Sequence, residues 1–555
     1  MMKSRRYNIT ILSIFLIIVS GCDLDRFPLD RPSSETFIST PDELEAAVVG
    51  LYQPFWFDAD GANWINIYPL FDVLTDIAWE RGDTKFQQIG AGIHDVNNYF
   101  ASMVWNRSYL AIGRCNYLLD NMYRVQDLVD ESTFEAAAAQ AKFIRAFWYM
   151  ILTELYGDVP AIFNTQTLDE ANTPKSPKDV IINQILDDLT HAEVLPEIVP
   201  ESSRGRITKG AVLALKARVA LYNRHWEIAA NAAKAAIDLN VYQLDDNFEN
   251  LFTNSGQVAN TEIIFDIQYD RVNRYHQGPM QFNTRMTQGY STKIPTQSLV
   301  DSYECIDGKT IFESPLYDPE KPFENRDPRL KHTVVVPGEI FGGYQFETHR
   351  DSVKIWNYNT TPATRVDNQD VLNPYASFSG YCWKKYSYME DGLAWNRSRL
   401  NFIFIRYAEL LLIHAEAKGE LGQIDADAYK SINDVRRRVG MPALQGLSST
   451  EFVQAVRRER KYELALEGHR LFDIRRWKIA ESVMPGPLLG RIPDGLLASA
   501  PYIDENATPN YESVTNRSSM RIIEQRLFNP NRDYLFPIPR LEVETNTALE
   551  QNPNY

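Results

Sequence analysis

Apolar residues recur at the three- and four-residue spacings of amphipathic helices over 99–123, 132–156, 177–191, 208–222 and 226–239, and again over 402–421, 425–439 and 449–468. Strand-like alternation is brief and scattered. Pro41-Asp42-Glu43-Leu44 opens a further helix with acidic residues in its first turn, where the helix dipole favours them. Ala217, Ala229 and Ala236 in the block 211–237 have the spacing of the small residues in a tetratricopeptide unit, and 402–439 repeats the two-helix shape more loosely. Lys216 departs from that pattern where leucine is expected. Small residues let paired helices approach closely, and stacked pairs bury a continuous core. Segments 240–400 and 479–555 are rich in Gly, Pro, Asn and aromatic residues and read as long excursions from this frame. The pattern predicts an all-α protein: a tetratricopeptide-like scaffold of helical pairs, with long loop-rich insertions and little strand. Loops of such length usually carry function, so a binding site is expected where they lie over the frame.

The first residues form a different kind of block. Lys3, Arg5 and Arg6 precede a nearly unbroken apolar run, Ile9 to Val19, too short to span a bilayer and typical of a secretory signal. Val19-Ser20-Gly21-Cys22 closes it and resembles a bacterial lipobox, in which small residues fit the signal peptidase and the cysteine sulfur takes a lipid. Residues 1–21 are therefore read as signal peptide, 22–40 as a lipidated tether rich in Pro, Asp and Ser, 41–240 as an N-terminal helical domain and 241–555 as a C-terminal domain. In the last, loop-rich 241–400 and 479–555 flank the helices of 402–478. Lipidation at Cys22 implies a membrane anchor, and Asp23 and Asp25 resemble the signal that sends lipoproteins to the outer face, so the expected location is the outer membrane, surface-exposed.

Composition narrows the function. The chain has 555 residues, 44% hydrophobic and 23% charged, as expected of a body that folds in water. A net charge of -16 argues against nucleic acid as a partner. Cys115, Cys305 and Cys382 lack the spacing of a zinc site and are expected to be buried thiols. No GxSxG, P-loop, GxGxxG or HExxH sequence occurs, so no cofactor or metal is expected and no catalysis is read from a motif. Glu459, Glu463 and Glu467 recur every fourth residue beside Arg457, Arg458, Arg460 and Arg470, a pattern that suits ion pairs better than an acid/base pair. Asp327-Pro328 reads as a helix start, and His414 on an apolar helix reads as packing.

The aromatic content is less ordinary: 29 Tyr, 27 Phe and 10 Trp make 12%, and several lie in loops. A sugar-binding surface needs an aromatic face for the CH side of a pyranose and carboxylate, amide or guanidinium groups for its hydroxyls. Two loops meet that need. Residues 70–100 supply Asp72, Asp76, Trp79, Arg81 and Tyr99, and residues 270–290 supply Arg271, Tyr275, Asn283, Arg285 and Tyr290. Asp76, Trp79, Arg81, Tyr275 and Tyr290 are the residues selected for ligand contact.

The chain resembles the SusD/RagB lipoproteins along its whole mature length. The resemblance begins at Cys22-Asp23-Leu24-Asp25 and runs through Trp105 to Asn116, Leu155-Tyr156-Gly157-Asp158-Val159-Pro160 and Gly205-Arg206-Ile207-Thr208-Lys209. It continues through Asp307-Gly308-Lys309, Asn325-Arg326-Asp327-Pro328-Arg329, Arg406-Tyr407-Ala408-Glu409-Leu410, Glu467-Gly468-His469-Arg470 and Pro537-Ile538-Pro539 to Gln551-Asn552-Pro553-Asn554-Tyr555. Asn554 stands where the family often has glycine. The resemblance implies four tetratricopeptide-like pairs and a loop-rich second half. It also implies a non-catalytic surface lipoprotein that binds an oligosaccharide and delivers it to a SusC-like, TonB-dependent barrel transporter. Peptide capture by the same scaffold and surface glycoside hydrolysis are the alternatives.

Overall fold

The computed structural model describes residues 37–58, 65–82, 84–388 and 396–555, and it is 44% helix and 11% strand. The signal segment, Cys22 and the tether through residue 36 lie outside the described residues. Helices begin where the sequence supplies caps. α1 (Pro41–Tyr52) follows Thr40, whose hydroxyl accepts the Glu43 N–H, and has proline in its first turn. α2 (Tyr99–Asn121) follows Asn98, whose side-chain oxygen accepts the Ala101 N–H at 3.1 Å. α3 (Glu131–Tyr156) follows Asp130, which accepts the Thr133 N–H at 2.8 Å, and stops at Gly157, where φ is +74°. α4 (Lys178–Ala192), α5 (Lys209–Tyr222) and α6 (Trp226–Asp238) continue the series, each packed on the one before. Ala217, Ala229 and Ala236 are all buried, as close packing of α5 on α6 requires.

The second half supplies α7 (Tyr407–Glu420), α8 (Ala426–Arg438), α9 (Ser449–Glu463) and α10 (Arg470–Arg476). α7 packs on α6 as well as on α8 and α9, so the two helical blocks share one frame across the long 240–400 excursion. Two expected boundaries move. The helix read from residue 402 starts only at Tyr407, because 402–406 is a strand. Its aromatic and β-branched residues suit an extended backbone, and the distant segment 263–267 pairs with it. The helix read to residue 468 ends at Glu463. Gly468 then turns at φ +82°, so close to Tyr68 that a Cβ would lie 2.3 Å from its carbonyl oxygen.

Sheets are small: six of two strands and one of four among the described residues. The strands that position the site and its neighbours are β1 (Ala78–Glu80), β2 (Ile263–Ile267), β3 (Lys293–Pro295), β4 (Phe402–Arg406), β5 (Gly486–Gly490) and β6 (Arg521–Arg526). β1 pairs with β3, β2 with β4 and β5 with β6, all antiparallel. Among the described residues no helix is long and apolar enough to cross a membrane.

Charge is threaded through the core. Arg218 on α5 is fully buried, pairs with Glu409 of α7 and donates to the Tyr68 hydroxyl at 2.9 Å, tying the first half to the second. Glu459, Glu463 and Glu467 are buried too. Arg436 meets Glu459 at 2.9 Å, Arg329 meets Glu463 at 3.0 Å, Arg406 meets Glu467 at 2.6 Å, and Arg438 pairs with Glu463. Burial alone would raise the Glu463 pKa, but the Arg438, Arg406 and Arg329 charges hold it well below the carboxylate range. Asp327 accepts the Arg329 N–H at 2.9 Å at the start of a short helix, and His414 bonds the Ser431 hydroxyl at 2.8 Å. Cys115, Cys305 and Cys382 are buried free thiols.

Candidate functional site

Trp79 and Arg81 stand two residues apart at the end of β1, so both side chains project from the same face of an extended backbone. Their depths differ. Trp79 is opposite Ile294 of β3, is 5% exposed, packs with Ile294, Leu488 and Phe378, and donates its indole N–H to Glu524 at 3.1 Å. Arg81 lies one step beyond the strand, where its backbone N–H still reaches the Thr292 carbonyl at 2.6 Å, and is half-buried at the rim. Its guanidinium lies 4.4 Å from the centre of the Phe378 ring and 5.5 Å from that of Tyr375.

Those two rings come from the segment 373–379. Asn373 makes the turn: its side-chain oxygen accepts the Tyr375 N–H at 2.9 Å, and its carbonyl accepts the Ala376 N–H at 3.0 Å. Tyr375 is left 49% exposed. Phe378 is held from below by β5. The Arg491 N–H bonds the Ser379 carbonyl at 2.9 Å, and a Cβ on Gly490 would lie 2.7 Å from the Ser379 Cα, so only glycine permits this approach. A third ring, Tyr290, leaves a tight turn that includes Gln288 at φ +68°. It sits 5.2 Å from Tyr375, edge to face, with the Arg285 guanidinium 5.0 Å over its own ring. Arg521, exposed at the start of β6, lies 4.3 Å over Phe378.

The result is a surface of Tyr290, Tyr375 and Phe378 with the Arg81, Arg285 and Arg521 guanidiniums lying on its rings, drawn from four separate segments. Ring faces can carry the apolar side of a sugar, and guanidinium forks can donate to hydroxyl or acidic oxygens. Partial burial lowers the pKa of Arg81 and of Arg521, the latter further through the like charge of Arg81. Both remain cations at neutral pH.

Of the residues selected from the sequence, Arg81 and Tyr290 are brought together here. Two selections are corrected. Asp76 is 3% exposed and bonded to Arg470 by two contacts of 2.9 Å, with Lys461 at 3.3 Å, so its oxygens are consumed inside the protein. Burial would raise its pKa, but the Arg470 and Lys461 charges prevail and hold it below the usual range. Trp79 is floor beneath Phe378 and has no free face to offer. Tyr275 lies under Arg397, at 5.0 Å, and no ring contact among the described residues joins it to the Tyr290 group. Tyr375, Phe378 and Arg521 escaped the sequence reading; the signal available was two aromatics three apart in a Pro- and Ser-containing loop. A cleft of about 600 Å³ whose lining includes Lys178, Asp179, Arg224, Arg475 and Arg532 contains none of the selected residues.

The SusD family profile matches residues 261–555, and a family described as starch-binding and associating with the outer membrane matches residues 24–221. A SusD-like protein P2 of Formosa agariphila is 27% identical over 585 residues, covering 99% of this chain and 100% of that protein. A SusD-like carbohydrate binding protein of Bacteroides fragilis, solved by crystallography, superposes with a TM-score of 0.80 at 28% identity, over 93% of this chain and 100% of the other. A second SusD-like protein of Bacteroides fragilis superposes with a TM-score of 0.76 at 25% identity, over 96% and 100%.

Proposed function

The chain belongs to the SusD family, and from that premise we propose that it captures a nutrient glycan at the cell surface and passes it to a SusC-like, TonB-dependent barrel transporter. The observation that carries the reading is the partly exposed surface of Tyr290, Tyr375 and Phe378 with guanidinium groups against its rings. A pyranose laid against the exposed part of this surface, Tyr375 above all, buries its CH face, while its hydroxyls take N–H donors from the adjoining guanidiniums. The carbohydrate binding named for the Bacteroides fragilis neighbour supports the same class of ligand. Binding without turnover is favoured because the carboxylates that first suggested an acid/base pair, Glu459, Glu463 and Glu467, are buried and bound to arginine or lysine.

Calorimetry of the purified protein against a panel of soluble polysaccharides tests this reading, with product analysis after long incubation. Binding without shortened products is expected. Tyr375→Ala should weaken it by about 0.5 to 1.5 kcal/mol beyond the lost area, roughly tenfold or less from stacking alone. Product sugars would assign hydrolysis instead, and binding of peptides but no glycan would assign peptide capture. A lipid on Cys22, reinforced by further acylation, would hold the protein at the outer membrane. Cys22→Ala should then shift the protein to the soluble fraction, and a mutant that still pellets without its transporter would remove the anchor.

A further inference from the structure

Among the described residues, the aromatic surface carries positive charge that no ion pair answers. Arg81 and Arg521 share the Phe378 ring, at 4.4 and 4.3 Å from its centre, and Arg285 sits on the adjoining Tyr290. Arg81 makes a long 3.5 Å hydrogen bond to the Ala376 carbonyl, and Arg285 donates to the Gly289 carbonyl at 2.8 Å. Among the described residues no carboxylate lies within ion-pair distance of Arg81, Arg285 or Arg521. The described acids nearby are held short of an ion pair with these guanidiniums. Glu80 pairs with Lys293 at 2.8 Å, Glu524 with Arg526 at 2.8 Å, and buried Asp370 accepts the Arg285 backbone N–H at 2.6 Å.

This is not a shortage of acid, since the chain carries a net charge of -16. Two cations on one ring repel each other, and the ring quadrupole returns only about 0.5 to 1 kcal/mol for each at an exposed site. An arrangement of this kind is satisfied when an anion arrives. We propose that the surface selects acidic glycans, whose sulfate ester or uronate carboxylate groups dock against Arg81 and Arg521 while the sugar rings lie on Tyr290 and Tyr375. The proposal rests on reading this surface as the glycan site. The guanidinium fork matches the oxygens of either anion, and its charge-assisted bonds are the stronger kind.

The full chain, purified in detergent, is titrated with alginate as the uronate probe, carrageenan as the sulfated probe and laminarin as the neutral probe. At least one acidic polymer should bind about tenfold or more tighter than laminarin, the gain expected of one charge-assisted bond to a guanidinium. Raising the salt concentration should shrink that gap. The double variant Arg81→Gln/Arg521→Gln should abolish the preference, weakening the acidic polymers by more than laminarin so that the gap between them closes; the exposed Arg521→Gln alone serves should the double variant fold poorly. Which acidic polymer responds distinguishes sulfate from carboxylate. Equal binding of all three probes, or a preference unmoved by either variant, overturns acidic selection while a Tyr375→Ala defect upholds the platform. A Tyr375→Ala variant that binds every probe as the parent does overturns both.

Discussion

Around α9, Arg329, Arg406, Arg436 and Arg438 meet Glu262, Glu304, Glu459, Glu463 and Glu467 inside the protein, whereas on the surface Arg81, Arg285 and Arg521 lie on aromatic rings and meet no described carboxylate. The same side chain therefore does two jobs. Inside, each charge is neutralised by a fixed partner, so the groups define which elements meet and are closed to any ligand. Outside, the charges are half-hydrated and their forks keep donors to spare. The difference teaches that a helix-face ladder of carboxylates and arginines marks structure when every member is paired, and that recognition is to be sought where pairing fails.

Breaking the inner set should have the largest consequence. Glu463→Ala removes one carboxylate from Arg406, Arg438 and Arg329 at once, leaving buried cations short of a partner. Loss of a partner from a buried pair costs about 3 to 5 kcal/mol, and the variant should reach or exceed the upper end or fail to fold. A denaturant midpoint close to that of the parent protein would show that this lattice is not what holds the frame. Trp79→Ala comes next. It empties a small cluster with Ile294, Leu488 and Phe378, so the loss should fall toward the lower end of about 3 to 5 kcal/mol, read as a drop in melting temperature. An unchanged melting temperature with a loss of glycan binding would return Trp79 to the ligand surface. Smallest of the three is the stability effect of Tyr375→Ala, whose ring is half in solvent: the change should stay within about 0.5 kcal/mol even as binding weakens. A large fall in stability there would erase the distinction between floor and surface.

Only part of this site could be read along the chain. The loops 70–100 and 270–290 were singled out, and Arg81 and Tyr290 of the proposed surface come from them. Asp76 and Trp79, chosen by the same reasoning, turned out to be interior because Arg470, Lys461 and β3 approach them from far along the sequence. Composition assigned an aromatic and a carboxylate to a loop but gave no sign of what would cover them. Phe378 and Arg521 were missed for the converse reason: each is one unremarkable residue until Gly490 lets the 373–379 segment settle onto β5 and β6.

What the sequence determined alone was local. Helical periodicity, the caps Thr40, Asn98 and Asp130, and the alanines of α5 and α6 specify a frame of packed helices, because a helix satisfies its backbone within its own residues. The tertiary structure decided what depends on a distant partner. It made 402–406 a strand by supplying β2, turned the glutamate ladder into a closed lattice, buried Trp79 and exposed Tyr375. Burial and charge balance are sums over neighbours in space, and no window of the chain contains those neighbours.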